Sequence, residues 1–96
     1  MRGFAAVGSP ARFQVLQVLV RAGQSGLSVS DIRARTGMAA STLAHHLRYL
    51  AEAGLVEQQK IGRTVINRAA FEHLEFLAAA LLEACCADEA PARLAS

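Results

Sequence analysis

Two adjacent cysteines, Cys85 and Cys86, are the only thiols in the sequence. Cysteine thiolates are soft ligands, and two of them near a loosening helix end can converge on one small thiophilic centre. Trivalent arsenic and antimony fit such a site because they are soft and accept few ligands in a pyramidal arrangement. The less specific interpretation is that cysteine packs as a small hydrophobic residue. Side chains one residue apart do not share a buried face, so the pair favours the binding interpretation.

The number of sulfur atoms limits what this pair can hold. Inorganic As(III) prefers three sulfur ligands, and the chain has no third cysteine. A third ligand from glutathione or water, cysteines shared between subunits, or a trivalent organoarsenical that needs two thiolates would each complete the site. We expect As(III) or an organoarsenical(III) as the ligand, with Sb(III) as a further candidate and no permanent cofactor. The alternative is a thiol-redox or persulfide switch, although a disulfide between neighbouring residues is strained.

A second pair of potential ligands, His45 and His46, does not favour a metal site. Consecutive residues of a helix point about 100° apart, so the two imidazoles do not face one ion. The order of elements suggests no Ser-His-acid set, phosphate-binding loop or paired carboxylates. An enzyme is therefore the least favoured class.

The first two helices are indicated by their caps and apolar spacing. Ser9 and Pro10 begin a helix in which Phe13, Leu16 and Val20, widened by Val15 and Leu19, form an apolar stripe that ends at Gly23. A short second helix, capped by Ser28 or Ser30, buries Ile32 and ends at Thr36-Gly37. The sequence therefore predicts two helices separated by a glycine-rich turn.

Residues after Gly37 predict a third helix, a hairpin and a long final helix. Leu43, Leu47 and Leu50 lie on one side of the third helix, at i, i+4 and i+7. β-Branched residues on both sides of Gly62 predict a hairpin with its turn at that glycine. A final helix extends from about residue 70 to 86. The outer side of the third helix carries Ser41, Thr42, His45, Arg48 and Tyr49.

This order of elements is that of a winged helix-turn-helix, mainly α with a small β-hairpin. A helix with a polar outer face fits the major groove, and Lys60 and Arg63 near the hairpin tip can reach backbone phosphates. Residues 1–70 carry nine Arg or Lys against three Asp or Glu, a net charge of +6, whereas residues 71–96 carry −4. A basic body with an acidic tail favours a polyanionic partner, although ordinary solvated charge gives the same balance.

The stretches "SPARFQVLQVLV" and "SVSDIRARTGMAASTLAHHLRYLAEAGLVEQQKIGRTVINR" resemble ArsR/SmtB-type repressors, bacterial dimers that leave DNA on binding a metal or metalloid. The resemblance covers about residues 6–87 and implies an imperfect palindromic operator on double-stranded DNA. The family often has Ser and Gln at the positions of Ala39 and Ala40, so the third helix loses an N-cap and a base-reading amide. The implied recognition surface is Ala40, Ser41, Thr42, His45 and His46, with Ser41, Thr42 and His45 approaching bases and Arg48, Lys60 and Arg63 holding phosphates.

Two metal sites of that family are not matched by this chain. Ser28-Val29-Ser30 stands where one site has Cys-Val-Cys, and hydroxyls are poor ligands for soft metals. Phe71 and His73 stand where a zinc site has Asp-x-His. Some arsenic sensors of the family carry a cysteine pair at the end of the dimer helix, which is where Cys85 and Cys86 lie. The resemblance therefore implies a repressor that releases its operator when trivalent arsenic binds there.

The composition predicts association of two copies. Hydrophobic residues make up 53% of only 96 residues, more than one small core can bury. We expect a cytoplasmic homodimer with no membrane partner, in which residues 1–87 form the DNA-binding and dimerisation domain and residues 88–96 a flexible tail. A ligand-independent architectural DNA-binding protein is the remaining alternative. The predicted dimer interface consists of Phe71, Leu74, Leu77, Ala78, Leu81 and Leu82, with Cys85 on the same seam.

Overall fold

The computed structural model describes residues 9–87, which form four α-helices and one three-stranded antiparallel sheet. The predicted tail, residues 88–96, lies outside the described residues. A short 3₁₀ turn, Gly23–Ser25, connects the first helix to the first strand. The helices are α1 (Pro10–Ala22), α2 (Val29–Thr36), α3 (Ala40–Glu52) and α4 (Phe71–Ala87), and the strands are β1 (Leu27–Ser28), β2 (Val56–Ile61) and β3 (Thr64–Ala69).

The first two helices begin at side-chain caps. The hydroxyl of Ser9 accepts a hydrogen bond from the backbone N–H of Arg12 at 3.4 Å. At α2, the Ser28 hydroxyl accepts from the Asp31 N–H at 3.2 Å, and the Asp31 carboxylate accepts from the Ser28 N–H at 3.4 Å. This reciprocal capping box satisfies two N–H groups that the helix leaves unpaired. Of the two serines considered from the sequence, Ser28 is therefore the cap.

The turn between α2 and α3 is held by side chains of α2. The Thr36 hydroxyl donates to the Ile32 carbonyl at 2.9 Å and accepts from the Met38 N–H at 3.3 Å. Arg33 donates from Nε to the Met38 carbonyl at 3.4 Å. The expected lack of an N-cap on α3 is confirmed, because Ala39 makes no side-chain capping bond. The start of α3 thus depends on the preceding turn for its position.

The core lies between α1, α2, α3 and the base of the sheet. The predicted leucine face of α3 is confirmed, but the α1 stripe is only partly correct: Phe13 and Val20 are 44% and 42% exposed. Exposed and buried apolar side chains at the edges of one stripe recur at the same helical spacing, so this spacing did not separate them. The buried hydrophobic residues that form this core are Val15, Leu16, Leu19, Leu27, Ile32, Leu43, Leu47, Leu50, Leu55, Val56 and Ala69.

The predicted hairpin is present, and β1 joins it as a third strand that the sequence did not indicate. The central strand β3 pairs with β2 along its whole length, from Val56 opposite Ala69 to Ile61 opposite Thr64. The two-residue β1 pairs only with the base of β3, where Leu27 lies opposite Asn67. A strand of two residues is too short to show alternation. The hairpin is therefore three-stranded at its base and two-stranded at its tip.

Helix α4 packs on the body through its first half only. Phe71, Leu74 and Leu77 are half-buried against the core, whereas Leu81 and Leu82 are exposed. The predicted mainly α winged helix-turn-helix architecture is confirmed. Among residues 9–87, no helix combines the length and the apolar composition that a bilayer span requires.

Candidate DNA interface and thiol site

Helix α3 presents a polar, exposed surface opposite its leucine face. This surface, called here the reading face, consists of Ser41, Thr42, His45, Arg48 and Tyr49, all exposed. Ala40 is also exposed, at the first position of the helix. A helix of 13 residues is about 20 Å long and fits the roughly 12 Å wide major groove. The burial of Leu43, Leu47 and Leu50 fixes which side faces outward.

Four side chains are in contact at the reading face, and two of them, His45 and Tyr49, belong to it. The guanidinium carbon of Arg12, on α1, lies 3.9 Å from the centre of the Tyr49 ring. The rings of Tyr49 and His45 are 5.4 Å apart at 66°, an edge-to-face arrangement. The His45 and His46 rings are 6.0 Å apart and tilted by 55°. The sequence carries no local signal for this cluster because Arg12 is distant from α3 along the chain.

The prediction that His46 belongs to the recognition surface is wrong. Its side chain is only 8% exposed, and its Nδ1 has no hydrogen-bond partner. Burial lowers the pKa of His46 below its ordinary value of 6.5, and the positive charge of Arg12 and the neighbouring His45 lower it further. The spacing contained the signal, since His46 follows Leu43 by three residues and precedes Leu50 by four. His46 therefore lies on the core side of α3, where burial favours the neutral form of its imidazole.

The wing carries its predicted cations at an exposed tip. Lys60 and Arg63 are exposed on either side of Gly62, whose φ of +63° suits glycine in the tight turn. At the base, the completely buried Asn67 accepts from Gln58 Nε2 at 2.8 Å and donates from Nδ2 to the Leu27 carbonyl at 3.2 Å. Asn67 therefore links all three strands, a role that no pattern in the sequence indicates.

An apolar groove lies between α1 and α4, with a cavity volume of about 540 Å³. The exposed Phe13 and Val20 lie on its α1 side, and Arg21 and Glu75 contribute charge on opposite sides. Of the predicted dimer interface, Phe71, Leu74 and Ala78 line the groove, Leu77 is half-buried on the core, and Leu81 and Leu82 are exposed beyond it. Three of the six predicted interface residues thus form the α4 side of this groove, and residues of α1 form its other side.

The predicted thiol site lies at the end of α4. Cys85 is a free, exposed cysteine, four residues after Leu81 and thus on the same side of the helix. Cys86 lies within α4, and its side chain is outside the described residues. Within the described part of the chain, no three His, Cys, Asp or Glu side chains are grouped closely enough to hold a metal ion.

Comparison with known proteins assigns this architecture to a family. A family model described as a helix-turn-helix domain matches residues 7–59. An ArsR-like transcriptional regulator from Rhodococcus sp. RHA1 is similar over 98% of this chain and 84% of that chain, with 31% identity and a TM-score of 0.79. The chain belongs to the ArsR family. A comparison with curated protein sequences gave no significant match.

Two further structures resemble this ArsR-family chain. A possible transcriptional regulator for arsenical resistance shares 30% identity with a TM-score of 0.72, over 99% of this chain and 95% of that one. The homodimeric winged helix-turn-helix DNA-binding domain of a possible ArsR-family regulator from Mycobacterium bovis shares 28% identity with a TM-score of 0.69, over 93% and 80%.

Membership of the ArsR family gives the elements their roles. The chain is a DNA-binding transcriptional regulator, with α2 and α3 as its helix-turn-helix, α3 as the recognition helix, and β2 and β3 as the wing. Family and fold are those of transcription regulators rather than of enzymes.

Proposed function

We propose that this chain is a homodimeric repressor that releases its operator when trivalent arsenic binds Cys85 and Cys86. The observation that carries the proposal is the position of Cys85, exposed on the side of α4 that also bears the exposed Leu81. In the proposed dimer, a ligand at this point lies on the surface through which the two protomers pack. The similarity to a possible transcriptional regulator for arsenical resistance supports the same assignment.

Dimerisation is supported by the apolar surface that one chain leaves uncovered. Phe13 and Val20 are exposed and line the groove between α1 and α4. Leu81 and Leu82 are also exposed, three and four residues after Ala78, which lines the same groove. Apolar side chains grouped in this way are typical of an interface. An imperfect palindrome with half-sites about 34 Å apart requires two copies of α3 in one molecule, which a homodimer supplies. The M. bovis relative is a homodimer.

The reading face and the wing divide DNA binding between them. Ser41, Thr42 and His45 approach base edges, since they are exposed on the outer side of α3. The exposed Arg48, Lys60 and Arg63 neutralise phosphates, which supplies affinity without sequence preference. Ala40 has no polar group in its side chain, and its small size allows the start of α3 to approach the DNA closely.

Arsenic binding changes the end of α4. Two As–S bonds form, and the two thiol protons leave with two hydroxides of arsenite, or of a methylarsenic(III) species, as water. Consecutive helical residues point about 100° apart, so both sulfurs reach one arsenic only if the last turn rearranges. That rearrangement alters the packing of α4 in the dimer and hence the spacing of the recognition helices. A coupling of about 1–3 kcal/mol weakens DNA binding roughly 5- to 150-fold.

The test compares wild type with a Cys85→Ser, Cys86→Ser double variant, both fully reduced, on the chain's own promoter fragment. Fluorescence anisotropy follows release during titration with arsenite, methylarsenic(III) and antimonite. Wild type should release the DNA, and the double variant should bind it normally and stay bound. Ser30→Ala serves as a matched control, because it removes a hydroxyl at a distant exposed position. Normal release by the double variant would refute the sensing site.

A thiol-redox or persulfide response is the second candidate function. It is favoured by the exposure of Cys85, which leaves the thiol open to oxidants and to persulfides. Treating separate samples with peroxide, with a persulfide donor and with arsenite under strict reduction distinguishes the chemistries. Release under the oxidising treatments alone would replace arsenic sensing by this alternative.

A further inference from the structure

A contact between α1 and α3 orders one aromatic side chain on the outside of the protein. Tyr49 is 45% exposed, yet the Arg12 guanidinium lies 3.9 Å from the centre of its ring. Arg12 is half-buried and belongs to the first helix. A guanidinium over an aromatic face is attracted by the negative charge density of the ring. Arg12, which belongs to α1, therefore restricts the side-chain conformation of Tyr49 on the reading face of α3.

Tyr49 in turn contacts His45, one helical turn earlier on the same face. The 5.4 Å separation and 66° angle between their rings match the edge-to-face geometry that aromatic pairs favour. The ring of His45 is also 6.0 Å from the buried ring of His46. The imidazole of His45 thus has two rings close to it, while the residue itself remains exposed.

We propose that Tyr49 is a positioning residue for DNA recognition: held by Arg12, it fixes the conformation in which His45 reaches a base edge. The inference rests on the base contact proposed above for His45. A free side chain loses rotamer freedom when it binds, and this loss weakens affinity. Because the neighbouring rings of Tyr49 and His46 already restrict His45, that entropy is lost during folding instead.

The effect of Tyr49 should fall on sequence-specific binding alone. Tyr49 lies opposite the leucine face of α3, so the ring is not part of the core that supports the fold. Arg48, Lys60 and Arg63 contact phosphates irrespective of how His45 is oriented. Removal of the Tyr49 ring therefore weakens binding to the preferred sequence and leaves binding to unrelated DNA unchanged.

The experiment measures dissociation constants at one salt concentration for two DNA probes. The specific probe is the duplex that the wild-type protein enriches from a randomised pool, and the second is a scrambled duplex of equal composition. The variants are His45→Ala, Tyr49→Leu, Tyr49→Phe and the His45→Ala, Tyr49→Leu double variant. Phe76→Leu is the matched control, because it removes an exposed aromatic ring from α4 instead. Circular dichroism checks that each variant is folded.

His45→Ala should bind the specific probe about tenfold more weakly, as expected for one lost base contact. Tyr49→Leu should lose about fivefold or more, and the double variant no more than His45→Ala alone, since Tyr49 acts through His45. Tyr49→Phe keeps the ring and should stay within about twofold of wild type. A further variant, Arg12→Gln, tests the contact that holds Tyr49, and it should weaken specific binding in the wild-type background but not in Tyr49→Leu. All variants should bind the scrambled duplex equally.

Three results would overturn the inference. Losses that multiply in the double variant would show that Tyr49 acts independently of His45. An equal loss on both duplexes would show a phosphate contact or an effect on folding. Unchanged binding by His45→Ala would remove the base contact and the positioning role together. Because no arsenical is present, each of these results leaves the proposed response of Cys85 and Cys86 as it stands.

Discussion

Replacing Asn67 by alanine removes two hydrogen bonds from the base of the wing. The Asn67 amide is fully buried, accepts from Gln58 Nε2 at 2.8 Å and donates to the Leu27 carbonyl at 3.2 Å. Each such bond contributes about 1 kcal/mol net, and a carbonyl left without its donor in a buried site adds about 1 kcal/mol. We expect Asn67→Ala to lower the free energy of unfolding by about 2–3 kcal/mol.

Thermal unfolding measured by circular dichroism checks this value. A loss of 2–3 kcal/mol lowers the melting temperature of a domain this size by about 10–20 °C. Protein concentration must be equal for all samples, because dimer formation shifts the transition. Gln58→Ala removes one of the two bonds and should lose about 1 kcal/mol. Gln59→Ala, at an exposed neighbouring position, should change stability by less than about 0.5 kcal/mol.

The comparison between these variants decides whether the reasoning holds. If Asn67→Ala is no less stable than Gln59→Ala, the buried amide does not hold the three strands together. A double-mutant cycle of Gln58 and Asn67 isolates their hydrogen bond and should give a coupling of about 1 kcal/mol. A coupling near zero would refute the contribution of that bond while leaving the contact with Leu27 to be assessed from the remaining loss.

Three further outcomes follow from the fold. Because burial lowers the pKa of His46, the free energy of unfolding of wild type should fall as pH drops below 6.5, by up to about 1.4 kcal/mol per pH unit. In urea unfolding at several pH values, His46→Gln should show a shallower dependence on pH. Equal slopes for the two proteins would contradict this. Gly26→Ala should lower the free energy of unfolding by at least about 2 kcal/mol, since a Cβ there would lie 2.6 Å from the backbone carbonyl oxygen of Asn67. Gly62→Ala, with open space around it, should lower it by about 1 kcal/mol. Equal melting temperatures of the two variants would refute the difference. Val20→Glu places a charge in the groove between α1 and α4 and should yield monomers in sedimentation velocity, and an unchanged dimer would exclude this groove from the interface.

The sequence predicted those parts of the fold that depend on local signals. Caps at Ser9 and Ser28, the leucine spacing of α3 and the turn at Gly62 each act within a few residues, and the structure has all of them. The strand β1 was missed because two residues carry no periodicity. The link from Asn67 to Leu27 spans 40 positions and has no local signal at all.

The candidate site shows the same division. Outward positions on α3 follow from the leucine spacing, and that spacing also places His46 inside once its distances from Leu43 and Leu50 are counted. The stacking of Arg12 on Tyr49 depends on how two helices cross, which no pattern in either helix contains. Phe76, at 68% exposure beside His73, is likewise a feature that apolar spacing along α4 did not single out.

The base and the tip of the wing differ in how readily they accept inserted residues. Its base is three-stranded and held by Asn67, and Arg68 also donates from Nε to the Gln24 carbonyl at 2.9 Å. Beyond the end of β1, only β2 and β3 pair, and the residues from Ile61 to Thr64 are exposed. Residues added in pairs at Gly62, one to each strand, would lengthen the hairpin and leave the existing pairs of β2 and β3 in register. The reach of the wing along DNA can thus evolve by insertion at the tip, without a compensating change in the helices.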